Sequence, residues 1–374
     1  MRSSSGRDHL RRLVARLGLL AAAFLLVLIL FEVLLRFTSF PLFGPDALTA
    51  VHAQRIQRNA PYSYVVSDEK TGWKLYPDLR ANVRLPTGLS AASGFPGYRS
   101  PRTYALEPEA RARRVVVVGD SHSFGWRLPV TDAYPHLLES LCGETEVINL
   151  GVPGYGVDQG LLMLREYGLQ LSPDLVVLGF YPDDMLRNLG VFRAHERFPK
   201  PRFTLTEGSD GLAYSPPPVG RDFLVDGSYL LGEQGEVGAL SVALWKNSRL
   251  FRLIKVEGGK LAHYAGFGAA WRLNEAILDE FAVLAEQGGF KLVVLFIPAQ
   301  RRMNGPVGRL VYSRLETLMR DWAQQRDVEL VDLTPTFEDL YEEEPALYLP
   351  DGHLGKTGHD LAAMQLVERT CEAR

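Results

Sequence analysis

The stretch that most constrains this chain is Arg114-Val115-Val116-Val117-Val118-Gly119-Asp120-Ser121. Four consecutive valines leave no polar face, so the segment reads as a strand buried on both sides, as in a parallel sheet covered by helices. Gly119 breaks the strand and Asp120-Ser121 follow at once. Thr131-Asp132 are good capping residues ahead of the run Tyr134–Leu141, which predicts the next helix. Ser121 therefore sits on a strand-to-helix turn at the carboxyl end of a central strand, the edge where open α/β sheets hold their ligands. Gly, Asp and Ser are also ordinary turn residues, so the reading turns on whether chemical partners follow elsewhere.

The alternation continues along the chain. Strands are expected at 115–118, 146–150, 174–180, 290–297 and 328–333, and helices at about 133–141, 158–168, 271–287, 307–325 and 357–367. Strands this apolar, separated by helices, imply an α/β fold with a five-stranded parallel sheet and helices on both faces. Residues 190–265 interrupt the pattern with five prolines between 199 and 218. Within them, 202–206 and 212–214 flank a Gly-rich turn and read as a hairpin, and 240–255 reads as a helix. An insertion after a strand's carboxyl end is placed either to roof a cleft or to serve as a surface loop.

The amino terminus has a different character. Arg2, Arg7, Arg11, Arg12 and Arg16 precede an uncharged run from Leu17 to Phe31, and leucines continue past Glu32 to Leu35. No small-x-small cleavage site follows promptly, so the segment reads as an uncleaved membrane anchor over 17–36 and not as a signal peptide. Glu32 and Arg36 are four apart and can pair near the far interface. The arginines place residues 1–16 in the cytoplasm and everything beyond the span in the periplasm or outside the cell. Residues 37–112, rich in Pro, Gly, Tyr and Arg, form a stem expected to pack on the main domain, 113–371. A net charge of −3 gives no sign of a nucleic-acid partner. With two cysteines, Cys142 and Cys371, there is no metal-ligand cluster, and a phosphate-cradling glycine loop is also lacking, so neither metal nor cofactor is expected. The two cysteines lie at helix ends and form either a disulfide or two separate thiols.

Three further stretches fall at strand carboxyl ends: Asn149-Leu-Gly-Val-Pro-Gly154, Asp183-Asp184 and Asp351-Gly352-His353. Glycines let a backbone N–H approach a substrate oxygen closely. A histidine can take a serine proton while a carboxylate orients it. With Gly119-Asp-Ser121 and Phe124-Gly125, followed by Asn149–Gly154 and then Asp351-Gly-His-Leu-Gly-Lys-Thr-Gly-His359, the chain resembles the SGNH (GDSL-type) hydrolase superfamily over roughly 113–371.

That resemblance implies a flavodoxin-like three-layer sandwich, preceded here by one transmembrane helix. It also implies Ser121 as nucleophile, His353 as general base, Asp351 as the residue that orients it, and an oxyanion hole from Ser121, Gly154 and Asp183. Two features depart from the family pattern. Asp183 stands where the family has an Asn whose amide donates to the oxyanion; Asp183 can donate if burial keeps it protonated, or Asn188 can reach in instead. The spacing is Asp-x-His and not Asp-x-x-His, as in membrane-associated O-acetyltransferase relatives. Of the other site-proximal residues, Asp120 is expected to shape the turn, His122 to lie exposed beside the nucleophile or else line the pocket, and His359 to start or pack the last helix or else serve as the base. The resulting expectation is a membrane-anchored serine ester hydrolase acting through an acyl-enzyme on an acylated glycan or small ester. The alternatives are a glycan O-acyltransferase and a catalytically impaired binding module.

Overall fold

The computed structural model describes residues 4–37, 65–76, 89–90, 97–108, 112–190, 192–193, 198–206, 211–217 and 248–371. Two units are distinguished, one of 1–59 with 221–263 and one of 60–220 with 264–374.

In the larger unit the four valines lie in β3 (Arg113–Gly119), and all four are fully buried. Strand β3 pairs in parallel with β4 (Thr145–Asn149) on one side and β5 (Leu175–Phe180) on the other. Strand β8 (Lys291–Phe296) follows β5, and β9 (Glu329–Asp332) completes the sheet, again in parallel. The order β9-β8-β5-β3-β4 is the flavodoxin-like arrangement, with β3 and β5 at its centre.

Strand periodicity divides the valines between the faces. Val116 and Val118 enter one core with Leu161, Ile277, Phe281, Met319 and Trp322. Those residues come from α4 (Val157–Glu166), α6 (Arg249–Gly288) and α8 (Pro306–Gln325). Val115 and Val117 enter a second core with Leu138, Phe337 and Leu366, from α3 (Tyr134–Leu141), α9 (Thr334–Leu340) and α10 (Lys356–Thr370). Two apolar faces on one sheet produce the three-layer sandwich.

Several local expectations are corrected. Thr131 and Asp132 do not cap α3: Val130–Asp132 forms a 3-10 turn, and Ala133 occupies the cap position without a side-chain bond. The helix expected near 240–255 and the one at 271–287 are a single helix, α6. No proline interrupts it, and a glycine inside a helix costs only about 1 kcal/mol. Helix α9, which carries Pro335 in its first turn, lacked any long apolar period.

The described part of the stem belongs to this unit. Strands β1 (Val65–Asp68) and β2 (Gly72–Leu75) form a hairpin whose Trp73 is fully buried and donates to Pro153 O at 3.3 Å. The expected hairpin in the insertion is present as β6 (Arg202–Leu205) and β7 (Leu212–Ser215); its turn, 207–210, lies outside the described residues, as do 218–247. Just before it, Lys200 is fully buried and ion-paired with Asp158 at the start of α4.

In the smaller unit α1 (Ser4–Phe37) contains a 24-residue span, Val14–Phe37, whose most apolar 18 residues have mean hydropathy 2.8, long and apolar enough to cross a membrane. Glu32 pairs with Arg36 at 3.2 Å. The same carboxylate accepts from Ser248 Oγ and from the backbone N–H of Arg249 and Leu250 at 2.7–3.0 Å, capping the first turn of α6.

Candidate active site

The turn that carries Ser121 is tighter than a loop. Ser121 opens a one-turn helix, α2 (Ser121–Phe124), and Asp120 caps it by accepting from His122 N at 2.8 Å. Two adjacent glycines make room for this helix. Gly119 and Gly179 are partners in register on β3 and β5, and a Cβ on either would lie within 2.4 Å of Ser123 Oγ. From the neighbouring loop Asn149 fastens α2, its Nδ2 donating to Ser123 O at 2.9 Å while its Oδ1 accepts from Gly151 N. From the stem, the buried Arg99 donates to the carbonyls of Phe124, Gly125 and Leu128. Burial without a carboxylate partner draws its guanidinium down to about 10.

Ser121 Oγ lies 2.9 Å from His353 Nε2, although 232 residues separate them in sequence. The histidine comes from the loop before α10. Gly352, in a left-handed conformation (φ +87°), turns that loop so that residues two apart place their side chains together. His353 Nδ1 is 3.1 Å from Asp351 Oδ1, within ion-pair distance, yet its N–H is not aimed along that line and forms no hydrogen bond. Hydrogen bonds of this kind are often poorly aligned before substrate binds. Partial burial would raise the Asp351 carboxyl, but His353 and then Arg127, 3.4 Å away, hold it below the usual carboxylate value. The structure thus brings Ser121, His353 and Asp351 together through a short spacing.

The side expected to hold an oxyanion is less complete. The backbone N–H groups of Ser121 and Gly154 donate to no protein acceptor among the described residues. Asp183, however, accepts from Tyr312 Oη at 2.7 Å through Oδ1 and from Arg301 Nη1 at 3.1 Å through Oδ2. Both carboxylate oxygens are thus taken up by donors, an arrangement that favours the ionised form of a carboxyl over one with a proton to donate. Asn188 does not replace it. Its side chain is buried, accepts from Asp158 N at 3.2 Å and donates to Asn274.

Asp120 is fully buried beside Ser121. Burial alone would raise its pKa, but His122 and Arg187 hold it down to about 2. Arg187 Nη1 reaches Asp120 Oδ2 at 3.0 Å and also pairs with Asp184. Its position three residues beyond Asp184 was the readable sign of that second pair. Arg301 and Tyr312, 118 and 129 residues from Asp183, gave no sign in sequence.

His122 is buried, not exposed, and its ring stacks on Tyr181 at 4.2 Å. His359 is buried too, stacks on Tyr134 and accepts Tyr134 N–H at Nδ1, 3.1 Å away, so it packs the last helix. Among the described residues no cluster of His, Cys, Asp and Glu suits a metal ion. The arrangement can move a proton from a serine hydroxyl to an imidazole beside a carboxylate, which is the chemistry of acyl transfer.

A five-stranded sheet of this order, with a serine on the strand-to-helix turn facing a histidine from the last loop, is an arrangement suited to hydrolysis of ester bonds. A model of the GDSL-like lipase/acylhydrolase family matches residues 117–361, more than half of the chain, and the chain belongs to that family. No curated protein matches it in sequence. Solved structures similar in fold include TesA, at 17% identity over 68% of this chain and 96% of that one, TM-score 0.38. The α/β hydrolase LAE5 from the metagenome of Lake Arreo, Spain, is 16% identical over 71% and 99%, TM-score 0.43. Axe2, an acetylxylan esterase from Geobacillus stearothermophilus, is 13% identical over 70% and 95%, TM-score 0.41.

Proposed function

We propose that this ester hydrolase works through an acyl-enzyme, with Ser121 as nucleophile, His353 as general base and Asp351 orienting the imidazole. The contact of Ser121 Oγ with His353 Nε2 at 2.9 Å carries the reading. As the hydroxyl attacks the ester carbonyl, its proton passes to Nε2. The tetrahedral oxyanion is held by the backbone N–H groups of Ser121 and Gly154. His353 then returns the proton to the leaving alcohol, and a water activated by the same imidazole releases the acid. Asp183 takes no direct part in holding the oxyanion, which its negative charge would oppose. It accepts from Arg301 and Tyr312, and the missing side-chain donor implies a slower chemical step than an amide there would give, by about 100–1000-fold.

The substrate is an acylated glycan or a small ester. Trp126, with its ring 6.1 Å from that of His353, and Tyr181 give the site aromatic surface of the kind that takes an apolar face. The span Val14–Phe37 anchors the chain in a membrane, with the hydrolase domain on the non-cytoplasmic side.

Labelling with a fluorophosphonate tests the chemistry. The full-length protein in detergent should be labelled, and Ser121→Ala and His353→Ala should not; labelling that survives Ser121→Ala would overturn the assignment. Deletion of residues 1–37 should move the protein from the membrane to the soluble fraction on centrifugation.

A further inference from the structure

The residue after the nucleophile is a buried histidine whose place goes unexplained by acyl transfer as such. His122 is 3% exposed, and its ring lies between that of Tyr181 at 4.2 Å and that of His353 at 5.1 Å. Its Nδ1 accepts the backbone N–H of Leu354 at 3.3 Å. Leu354 is the neighbour of His353 in sequence and is itself fully buried. A bond therefore joins the residue after the nucleophile to the residue after the base.

The loop that carries the base is well tied to itself. Leu349 N donates to His353 O at 2.7 Å, Gly355 N donates to Leu347 O, and Tyr348 and Leu354 form an isolated bridge. Its links to the nucleophile side are fewer. The Ser121–His353 contact is consumed when the proton moves. The Arg127–Asp351 pair is 3.4 Å long, with an arginine side chain 63% exposed, so it is weak and screened. The bond from Leu354 N to His122 Nδ1 is the one hydrogen bond that the loop's backbone makes to α2 among the described residues, and it involves none of the reacting atoms.

We propose that His122 is a positioning residue, holding the general-base loop in register with the nucleophile helix through its Nδ1 acceptor. The assignment rests on the acyl-enzyme reading above and deepens it. Chemistry at this site depends on a Ser121–His353 distance of 2.9 Å, and small misplacements of a catalytic group are costly in rate. The bond requires neutral imidazole, because a protonated Nδ1 would point an N–H at the N–H of Leu354. Burial keeps the ring neutral by drawing its pKa down to about 4, with His353 and Arg187 acting in the same direction and Asp120 and Asp183 opposing them.

Three replacements separate the functions of the ring. Asn places an amide oxygen near the position of Nδ1, Gln places its amide near Nε2, and Phe keeps a ring for stacking with no acceptor. Full-length variants in detergent would be compared for fluorophosphonate labelling rate and for kcat and KM on a p-nitrophenyl ester of short chain, with thermal melts checking the fold. His122→Phe should lower labelling rate and kcat by roughly 10–100-fold with KM within about 2-fold. His122→Asn should recover most of that loss, and His122→Gln should not. Where His122→Phe does not fold, the comparison of the Asn and Gln variants decides. Wild-type rates in His122→Phe, or Asn and Gln variants impaired alike, would overturn the positioning role while leaving the hydrolase reading intact. An unlabelled wild type would overturn the hydrolase reading and this inference together.

Discussion

At the scale of single residues, the site depends on which side chains are charged. His122 and His359 are both buried and both accept a backbone N–H at Nδ1. Burial pushes them from 6.5 down to about 4 and about 3. Folded-state values lower than the unfolded ones mean that the unfolded chain binds protons first as pH falls. Their contribution to stability is thus complete above pH 6.5 and is lost progressively down to about 4 for His122 and about 3 for His359. Urea denaturation at several values between pH 6.5 and 4.5 should show stability falling with pH by up to about 1.4 kcal/mol per unit for each histidine. His359→Asn, which keeps an acceptor for Tyr134 N–H and cannot titrate, should remove about half of that slope. An unchanged slope would mean that His359 is already protonated in the folded protein.

At the scale of elements, the helix that carries Ser121 is one turn long and cannot hold its own position. It is held by what surrounds it: the slot made by Gly119 and Gly179, the side chain of Asn149 and the guanidinium of Arg99. Arg99→Met would strip the guanidinium from the buried carbonyls of Phe124, Gly125 and Leu128, of which Gly125 O keeps the N–H of Leu128, a loss of about 2–4 kcal/mol in chemical denaturation. Arg102→Met, which removes a half-exposed pair with Glu139, should cost less than about 1 kcal/mol and serves as the control. Equal losses from the two would show that Arg99 does not clamp the turn.

At the scale of the whole molecule, the disulfide of Cys142 with Cys371 ties the end of α3 to the end of α10. The cysteines are 229 residues apart, and the loop they close contains His353, while Ser121 lies just before it. A cross-link over a loop this long restricts the unfolded chain, and loss of a native one costs roughly 2–5 kcal/mol. Cys142→Ala/Cys371→Ala should lower Tm on a thermal melt run without reductant, and reductant should lower the wild type to the same value. A reductant-insensitive wild type would show that the bond is not formed. Such a bond persists in oxidising compartments, which supports a domain placed beyond the membrane.

What the sequence determined by itself is what local physics can write into a run of residues. The valines of β3 forced a strand buried on both faces, and the apolar strands that follow forced a parallel sheet. The apolar run 17–36 stood out by length and charge asymmetry, Ser121 by following a buried strand, and Asp351 and His353 by the motif that precedes the last helix. What only the tertiary structure decided is everything that depends on neighbours distant in the chain. Arg301 and Tyr312 hold Asp183, Leu354 engages His122, Arg99 clamps α2, and Cys142 meets Cys371. The reason is physical. A pattern in sequence fixes which face of an element is apolar, whereas the charge state and hydrogen bonds of a buried polar group are set by whichever donors and acceptors the packing brings beside it.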